Sequence, residues 1–534
     1  MSALVADVTY ARLLVTDPHR WRAAALAWRS WASAAGRWAA ALSGQVARLR
    51  SAWSGAAATA AADQLGKLRR VLDLFRVICW AADQALSEFA AALVRSRALL
   101  ASAVETAGRA GLVIDDRGRV ESPARRAGSP FWSAALTTTA REAVSQLAAG
   151  LRVAARADDL AAGRLSELAE SSVPPPPAAA LPPPTATPAE VRRWWDGLTP
   201  AQRRWLAATE PAWLGPRDGV PAAYRDLANR LRLEEQRAEL DRAIAAAGGH
   251  DSRRLRELRE GLDALRARLD DGDRPRGYLL RLDLAEEGRA VVALNDPDQA
   301  HNVLTHVPGM TAGLASSGRE LSRAERVAAR ANELDPARST SAVMWLDYDA
   351  PDFLGEAAGR SRAVDGATRL RRFQDGLRAT NEQDAVRLTV LGHSYGSLVV
   401  GSAASTPGLA ADGVVFVGSP GVGAENAADL HVPPGQVWST TSRTDAIQYA
   451  AAAPQSLLED LVLARTVPLV GPILAFGTPE DELWHGRNPS DPGFGARVFK
   501  SQVGAGHLGY WERGRPALDA LADIAVGWGD VIPR

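Results

Sequence analysis

The chain has 534 residues, which is too long for one hydrophobic core and predicts about two to four domains. Its 62 basic residues equal its 62 acidic residues, so the formal net charge of zero argues against nucleic acid as the main partner. Cys79 is the single cysteine, which excludes an intramolecular disulfide.

The sequence lacks the signals that direct a chain into a membrane. Its first residues contain no basic region followed by an apolar stretch, so a cleaved secretory signal is not expected. The longest apolar run, Val467–Gly477, is too short to span a bilayer. We therefore expect no transmembrane segment, and either a cytoplasmic location or export without a cleaved signal peptide.

Residues 1–172 are predicted to form an all-α domain. Asp17 and Pro18 are a capping acid and a helix-starting proline. The tryptophans that follow have spacings of 7, 3 and 7, which places four indoles along one helix face: Trp21, Trp28, Trp31 and Trp38. This helix should end near Trp53-Ser54-Gly55. A second helix should run from Ala56 to about Leu100, and a third from Phe131 to Glu170.

Two long antiparallel helices joined at a W-x-G turn resemble the small helical-hairpin proteins and domains of type VII secretion substrates. An ordinary helical bundle with a turn glycine is the alternative. The export tag usual in that group, Tyr-x-x-x-Asp/Glu, is missing after the hairpin, and Tyr348 with Asp352 fits its spacing only within a predicted strand. The resemblance implies a helical protein partner for residues 1–172.

The clearest predicted boundary is the proline-rich linker at residues 173–188, whose composition predicts a stiff spacer. Residues 189–276 then read as helices that pack on the following domain. Leucines at helical spacing on either side of Gly248-Gly249 are consistent with a helical hairpin.

Residues 277–534 alternate short apolar strands with helices, which predicts an α/β domain whose sheet is mostly parallel, with the signature of the α/β-hydrolase fold. The predicted strands are Tyr278–Leu284, Arg289–Leu294, Asn302–His306, Ala342–Tyr348, Leu388–Leu391, Val414–Val417, Val437–Thr441 and Arg497–Gln502. The predicted helices cover 318–333, 361–380 and 397–405.

The most informative motif is Gly392-His-Ser-Tyr-Gly396, a G-x-S-x-G sequence between a predicted strand and a predicted helix. A serine on such a sharp turn presses the residues two before and two after it against backbone, where glycine fits best. The pattern therefore predicts that Ser394 is the nucleophile of a serine hydrolase.

The nucleophile needs a general base, which in this fold follows the acid along the chain. His431, His485 and His507 are the histidines downstream of Ser394. His431 precedes the strand that should deliver the acid. His507 follows the last predicted strand and is our choice of base, with His485 as the alternative.

For the acid, Asp445 lies just past the carboxyl end of the strand 437–441, and we predict that it orients the base. Asp491, which precedes Pro492, is the alternative acid. The oxyanion should be bound by the backbone N–H of Tyr395, directly after the nucleophile, and by that of Met310, in the loop that begins Val307-Pro-Gly.

Several segments together resemble an actinobacterial α/β-hydrolase family of unknown function that is distantly similar to cutinases and lipases. They include Trp194-Trp-Asp-Gly-Leu-Thr-Pro200, Asn295-Asp-Pro-Asp-Gln-Ala-His-Asn-Val303, Trp345-Leu-Asp-Tyr-Asp-Ala-Pro351, Gly392-His-Ser-Tyr-Gly-Ser397, Gly418-Ser-Pro-Gly-Val422 and His507-Leu-Gly-Tyr510. The resemblance covers roughly residues 190–530 and implies the triad Ser394, Asp445 and His507. It departs from the family at His507-Leu508, where His-Ser would be expected.

The sequence thus predicts hydrolysis of an ester or related acyl substrate through an acyl-enzyme, without metal or cofactor. The apolar segment Leu457–Phe476 could cover an acyl pocket or pack as an ordinary helix on the sheet. One rival hypothesis is an exported effector that retains the hydrolase activity, and another is a helical interaction protein with an inactive hydrolase scaffold.

Overall fold

The computed structural model describes residues 8–122, 134–169, 180–247, 250–406, 408–445, 447, 482–502, 504 and 506–533. Its N-terminal part is helical: α1 (Tyr10–Val15), α2 (Pro18–Ala52), α3 (Ala56–Arg109) and α4 (Ala134–Ala169). Asp17 caps α2 by accepting a hydrogen bond from the N–H of His19 at 2.9 Å, and Pro18 begins the helix because its ring is already in helical conformation. Two short strands, β1 (Val113–Ile114) and β2 (Val120–Glu121), pair between α3 and α4.

Helices α2 and α3 form an antiparallel hairpin. Arg29 of α2 pairs with Asp83 of α3, whereas Gly36, further along α2, lies against Arg76, which is earlier in α3. Helix α4 packs along α3. Among the described helices, α3 is the one that could cross a membrane by length and composition, and 67% of its most apolar stretch is buried inside the protein, as in the core helix of a bundle.

The tryptophans of α2 flank its buried face. Trp21 packs edge-on against Phe89 of α3, with 5.0 Å between ring centroids. Trp31 and Trp38 are 56% and 59% exposed, so part of this aromatic stripe faces solvent.

The chain after the proline-rich segment begins with five more helices: α5 (Pro188–Asp196), α6 (Pro200–Thr209), α7 (Pro211–Leu214), α8 (Ala222–Ala246) and α9 (His250–Asp270). Reciprocal capping boxes start α5 and α6, from Thr187 with Glu190 and from Thr199 with Gln202, and each is followed by a proline at the first helical position.

The helices before and after the proline-rich segment share one hydrophobic core. Val77 and Trp80 of α3 belong to the same buried cluster as Val191, Trp195 and Leu206. The N-terminal hairpin is therefore packed against the helices that lead into the sheet.

The C-terminal part is built on an eight-stranded sheet with the order β12-β9-β8-β7-β5-β6-β4-β3. Its strands are β3 (Gly277–Asp283), β4 (Arg289–Leu294), β5 (Asn302–Val307), β6 (Thr340–Leu346), β7 (Arg387–His393), β8 (Gly413–Val417), β9 (Val437–Thr440) and β12 (Arg497–Val498). Strands β3 and β4 run antiparallel to their neighbours, and the other pairings are parallel. A separate hairpin joins β10 (Glu482–Leu483) to β11 (Gly486–Arg487).

Helices cover both faces of this sheet, which explains why its central strands are apolar throughout. Helices α10 (Ser317–Leu334) and α14 (Pro516–Val526) pack on one face. Helices α12 (Ser361–Thr380) and α13 (Gly396–Ala404) pack on the other, and α11 (Leu354–Ala357) precedes α12.

The predicted fold, a mostly parallel α/β sheet behind a helical region, is confirmed. The N-terminal region is not entirely α-helical as predicted, because β1 and β2 pair between α3 and α4. The last predicted strand was too long: it pairs with β9 only at Arg497 and Val498, and Phe499 makes one further hydrogen bond to Ser439 before the chain turns away. The apolar segment 457–476 lies outside the described residues.

Candidate active site

Ser394 lies on the sharp turn between β7 and α13, with a positive φ of 53°. The two glycines of the motif allow this turn. A Cβ at Gly392 would lie 2.6 Å from Cα of Ser397, and a Cβ at Gly396 would lie 2.2 Å from the carbonyl oxygen of Val307. Both distances are impossible for a side chain, so the local sequence is the one that this strand-turn-helix geometry requires.

The predicted acid and base are in direct contact. Asp445 follows β9 and is fully buried, and His507 follows β12. The His507 Nδ1 lies 2.9 Å from Oδ1 and 3.0 Å from Oδ2 of Asp445. The backbone N–H of Ile447 also donates to Oδ1 at 3.0 Å, and the hydroxyl of Tyr510 donates to Oδ2 at 2.6 Å. These contacts hold the carboxylate and fix a proton on Nδ1, which leaves Nε2 of the imidazole as an acceptor.

The end of β8 joins this pair to the nucleophile. The N–H of Ser394 donates to the carbonyl of Val417 at 3.0 Å. The next residue, Gly418, packs against the acid and base so closely that a Cβ there would lie 2.7 Å from Oδ2 of Asp445 and 3.2 Å from Nδ1 of His507. Ser394 after β7, Gly418 after β8 and Asp445 after β9 therefore lie at the carboxyl edge of the sheet, and His507, which follows β12, contacts Asp445 there.

His393, the residue before the nucleophile, contacts both the backbone and the ring of His507. Its Nε2 lies 3.0 Å from the carbonyl oxygen of His507, and the two rings are 4.7 Å apart. Burial, and then the neighbouring His507, lowers the pKa of His393 well below its usual value, so its ring is neutral and donates to that carbonyl. The indole of Trp511 also packs against His393, perpendicular to its ring, with 4.8 Å between the ring centroids.

The loop after β5 lies over the nucleophile. A Cβ at Gly309 would lie 2.6 Å from the Cβ of Ser394, so this loop can approach the serine only as glycine. The hydroxyl of Tyr348 donates to the carbonyl of Pro308 at 2.6 Å and holds the loop. Among the described residues, the N–H groups of Met310 and Tyr395 have no hydrogen-bond acceptor, which leaves both available to a bound oxygen.

A family profile described as alpha/beta hydrolase matches residues 283–454, which include β4 to β9 and Ser394. Uncharacterized protein Mb0988c of Mycobacterium bovis is 35% identical over 198 residues, which cover 35% of this chain and 72% of that protein. The chain belongs to the α/β-hydrolase family. The chain is also similar to uncharacterized protein Rv2079 of Mycobacterium tuberculosis, at 31% identity over 383 residues. That match covers 64% of the chain but 56% of the relative, so the chain spans little more than half of that relative's length.

Two solved structures are similar at low identity. The dienelactone hydrolase of Anabaena variabilis is 17% identical with a TM-score of 0.28, and the match covers 49% of this chain and 100% of that one. An arylesterase is 10% identical with a TM-score of 0.29 and covers 49% of this chain and 86% of its own.

The alternative acid and base of this hydrolase lie in other contacts. The Nε2 of His485 lies 2.8 Å from the carbonyl oxygen of Ala357, and the ring is buried beneath Tyr395. Asp491 pairs with Arg487 at 2.9 Å and caps the short turn that follows it. The described residues place neither side chain against Asp445 or His507.

The part of the chain that the structure describes contains no group of three or more His, Cys, Asp or Glu side chains arranged to hold a metal ion. Asp445 and His507 contact each other.

Three residues of the site were not singled out from the sequence: His393, Gly418 and Tyr510. His393 occupies the variable position of the G-x-S-x-G motif, and Tyr510 lies three residues after the predicted base, a spacing that brings it back to the same carboxylate. Gly418 directly follows β8, so the sequence signal for its role was a glycine at the carboxyl edge of the sheet.

Proposed function

We propose that this α/β hydrolase is a serine hydrolase that cleaves an ester or related acyl bond through an acyl-enzyme. The observation that carries the proposal is the contact of the buried Asp445 with Nδ1 of His507, at the sheet edge where Ser394 stands on its turn. Because Nδ1 carries the proton, Nε2 is free to accept one from a serine hydroxyl.

In the first step, Nε2 of His507 takes the proton of Ser394 while the serine oxygen attacks the acyl carbonyl carbon. The resulting oxyanion is bound by the backbone N–H groups of Tyr395 and Met310, which have no other acceptor among the described residues. Asp445 stabilises the imidazolium that forms.

The imidazolium then returns the proton to the leaving alcohol, which departs and leaves the acyl group on Ser394. Water enters, gives a proton to His507, and attacks the acyl carbonyl. His507 then returns that proton to the oxygen of Ser394 as the bond to the acyl carbon breaks and the acid is released. The base regains its starting tautomer because Asp445 still accepts from Nδ1.

A fluorophosphonate probe tests the nucleophile, since it labels activated serines covalently. We expect the wild-type chain to be labelled and Ser394→Ala not to be. Ser405→Ala is the matched control, because Ser405 lies at the end of the same helix and its hydroxyl bonds only to Gly401 at 2.8 Å. Labelling that persists in Ser394→Ala would exclude Ser394, and an unlabelled wild type would favour an inactive scaffold.

The substrate class is tested with esters of graded acyl length against wild type and His507→Ala. Loss of the base should lower kcat/KM by about a thousandfold or more for every ester that the wild type cleaves. Equal rates in the two proteins would contradict the assignment of His507.

A further inference from the structure

A second cleft lies at the opposite edge of the sheet from Ser394. It is formed between helices α3 and α4 and the loops that precede β5 and β6. Its internal volume is about 90 Å³, below the range of about 300–1,000 Å³ of drug-sized ligand sites, so it suits a small ligand. Because β5 and β7 are parallel, the cleft at their amino ends is separated from the active site by the length of the strands.

The walls of the cleft are partly apolar. Helix α3 contributes Phe89 and Ala92, and α4 contributes Ala157 and Leu160. A ligand here would bury hydrocarbon against both N-terminal helices.

Three arginines and two carboxylates line the cleft, and one of the arginines is both half-buried and unpaired. Arg95 of α3 has a buried Nε without a hydrogen-bond partner and has no ion pair among the described residues. Arg156 of α4 also has no ion pair there, but its side chain is exposed. Arg164, by contrast, pairs with Asp296 at 3.0 Å. An unpaired guanidinium in a half-buried position such as that of Arg95 is costly, which points to a missing anion.

His301 adds no positive charge to the cleft. Its ring lines the cleft, and burial, followed by Arg338, Arg156 and Arg95, lowers its pKa to about 4. The ring is therefore neutral at pH 7, and its Nδ1 lies 3.4 Å from the hydroxyl of Ser339.

Two carboxylates line the cleft, Asp296, which pairs with Arg164, and Glu88. Glu88 is hydrogen-bonded to a residue outside the lining. Its Oε1 accepts from the hydroxyl of Tyr278 at 2.9 Å, and burial, followed by Asp296, raises its pKa. Glu88 makes no ion pair with Arg95 among the described residues, and its charge acts on that guanidinium only from a longer distance.

We propose that this cleft binds an organic anion, a carboxylate or a phosphate monoester that carries a short apolar group. Arg95 and Arg156 would bind the charged head, and the apolar group would lie against Phe89 and Leu160. Arg95 and Arg156 lie on the N-terminal helices, whereas His301 lies directly before β5. Such a ligand would therefore contact both the N-terminal helices and the sheet domain.

Isothermal titration calorimetry of the full chain with butanoate and with butyl phosphate tests the proposal, with butanol and butylammonium as neutral and cationic controls. We expect saturable binding of at least one anion and none of the controls. Preference for butyl phosphate over butanoate, or the reverse, identifies the head group. Wild type that binds neither anion, or that binds butanol equally well, would overturn the proposal.

Matched variants locate the binding. Arg156→Ala should weaken anion binding by about tenfold or more, because a charge-assisted contact is lost. Arg152→Ala should not, because Arg152, equally exposed and one helical turn earlier, does not line the cleft. Arg95→Met should weaken binding similarly and, without ligand, leave the thermal midpoint unchanged or raised, since an unpaired buried charge is removed. Anion binding that survives both Arg95→Met and Arg156→Ala would place it elsewhere, such as the acyl site, and reject the proposal.

Discussion

Tyr510 donates its hydroxyl hydrogen bond to Oδ2 of Asp445 over 2.6 Å, on the same carboxylate that contacts His507. Burial, followed by the charge of Asp445, raises the pKa of the phenol, so Tyr510 stays protonated and remains a donor. The backbone N–H of Ser442 donates to the phenol oxygen at 2.9 Å and fixes its position. Tyr510 is thus a positioning residue for the acid of the proposed triad.

Replacing Tyr510 by phenylalanine should lower kcat/KM for an ester by about tenfold with little change in KM, since a hydrogen bond to a charged group contributes about 1.5–3 kcal/mol. Steady-state kinetics measure this, together with the acid limb of the pH profile, which should shift because Asp445 orients the base less well. Tyr10→Phe, in the N-terminal helices, is the control. Unchanged kinetics and an unchanged pH profile in Tyr510→Phe would mean that the ring only fills space.

Gly418→Ala should abolish activity while leaving most of the fold intact. Its added methyl group would lie 2.7 Å from Oδ2 of Asp445 and 3.2 Å from Nδ1 of His507, which separates the pair. The backbone there has a φ of 54°, which itself costs alanine about 1 kcal/mol.

Gly435→Ala separates the effect of backbone strain from that of the contact with Asp445 and His507. Gly435 also has a positive φ, 72°, but a Cβ added there would meet open space. We expect both variants to lose a similar amount of thermal stability and only Gly418→Ala to lose fluorophosphonate labelling, by about a hundredfold or more in rate. Equal activity losses in the two variants would argue that backbone strain, and not the contact with the acid and base, matters at Gly418.

Local backbone sterics explain why part of the site could be predicted from the sequence. Gly392 and Gly396 are required by atoms within a few residues of Ser394 or in the adjacent strand, so their spacing alone indicates the turn. The mostly parallel sheet likewise follows from alternating apolar strands and helices, but the order of its strands does not. The role of Tyr510 could not be predicted in this way, because its partner is 65 residues away and the contact depends on how two loops meet at the sheet edge.

The same reasoning applies to the N-terminal helices. Their periodicity predicts their length, but the pairing of Arg29 with Asp83, and of that aspartate with Arg276, joins residues that are far apart in the sequence. A pattern of single charges on a helix usually indicates a solvated face, and here it lies in the interior.

The pH dependence of stability should reflect His301. Its pKa is lowered to about 4 in the folded chain, so between that value and about 6.5 the unfolded chain binds a proton that the folded chain does not. The free energy of unfolding therefore falls as the pH is lowered through this window.

Because His301 is only partly buried, we expect a loss of about 1–2 kcal/mol between pH 6.5 and 4. Comparing urea midpoints of wild type and His301→Gln across pH 4–7.5 measures it, since glutamine does not titrate. The difference between the two urea midpoints should be smaller at pH 4 than at pH 7.5. If the two midpoints changed in parallel with pH, His301 would not be the cause of the stability lost in acid.

The final prediction concerns the buried ion cluster that joins the hairpin to the sheet. Asp83 is fully buried and pairs with Arg29 at 3.0 Å and with Arg276, which in turn pairs with Asp226 at 2.9 Å. Burial alone would raise the pKa of Asp83, but Arg276 and Arg29 outweigh it and lower that pKa, so the carboxylate is charged at neutral pH.

Asp83→Ala leaves two guanidinium groups buried without that partner and should cost about 3–5 kcal/mol, measured as a lower urea midpoint. Glu257→Ala, which removes an exposed pair with Arg253, should cost less than about 1 kcal/mol. Adding Arg276→Met to Asp83→Ala should recover part of the loss, because one of the unpaired charges is removed with it. If the double variant were instead less stable than Asp83→Ala by the full cost of Arg276→Met alone, the two residues would be independent, and the hairpin would be held to the sheet by the apolar core around Trp80 and Trp195.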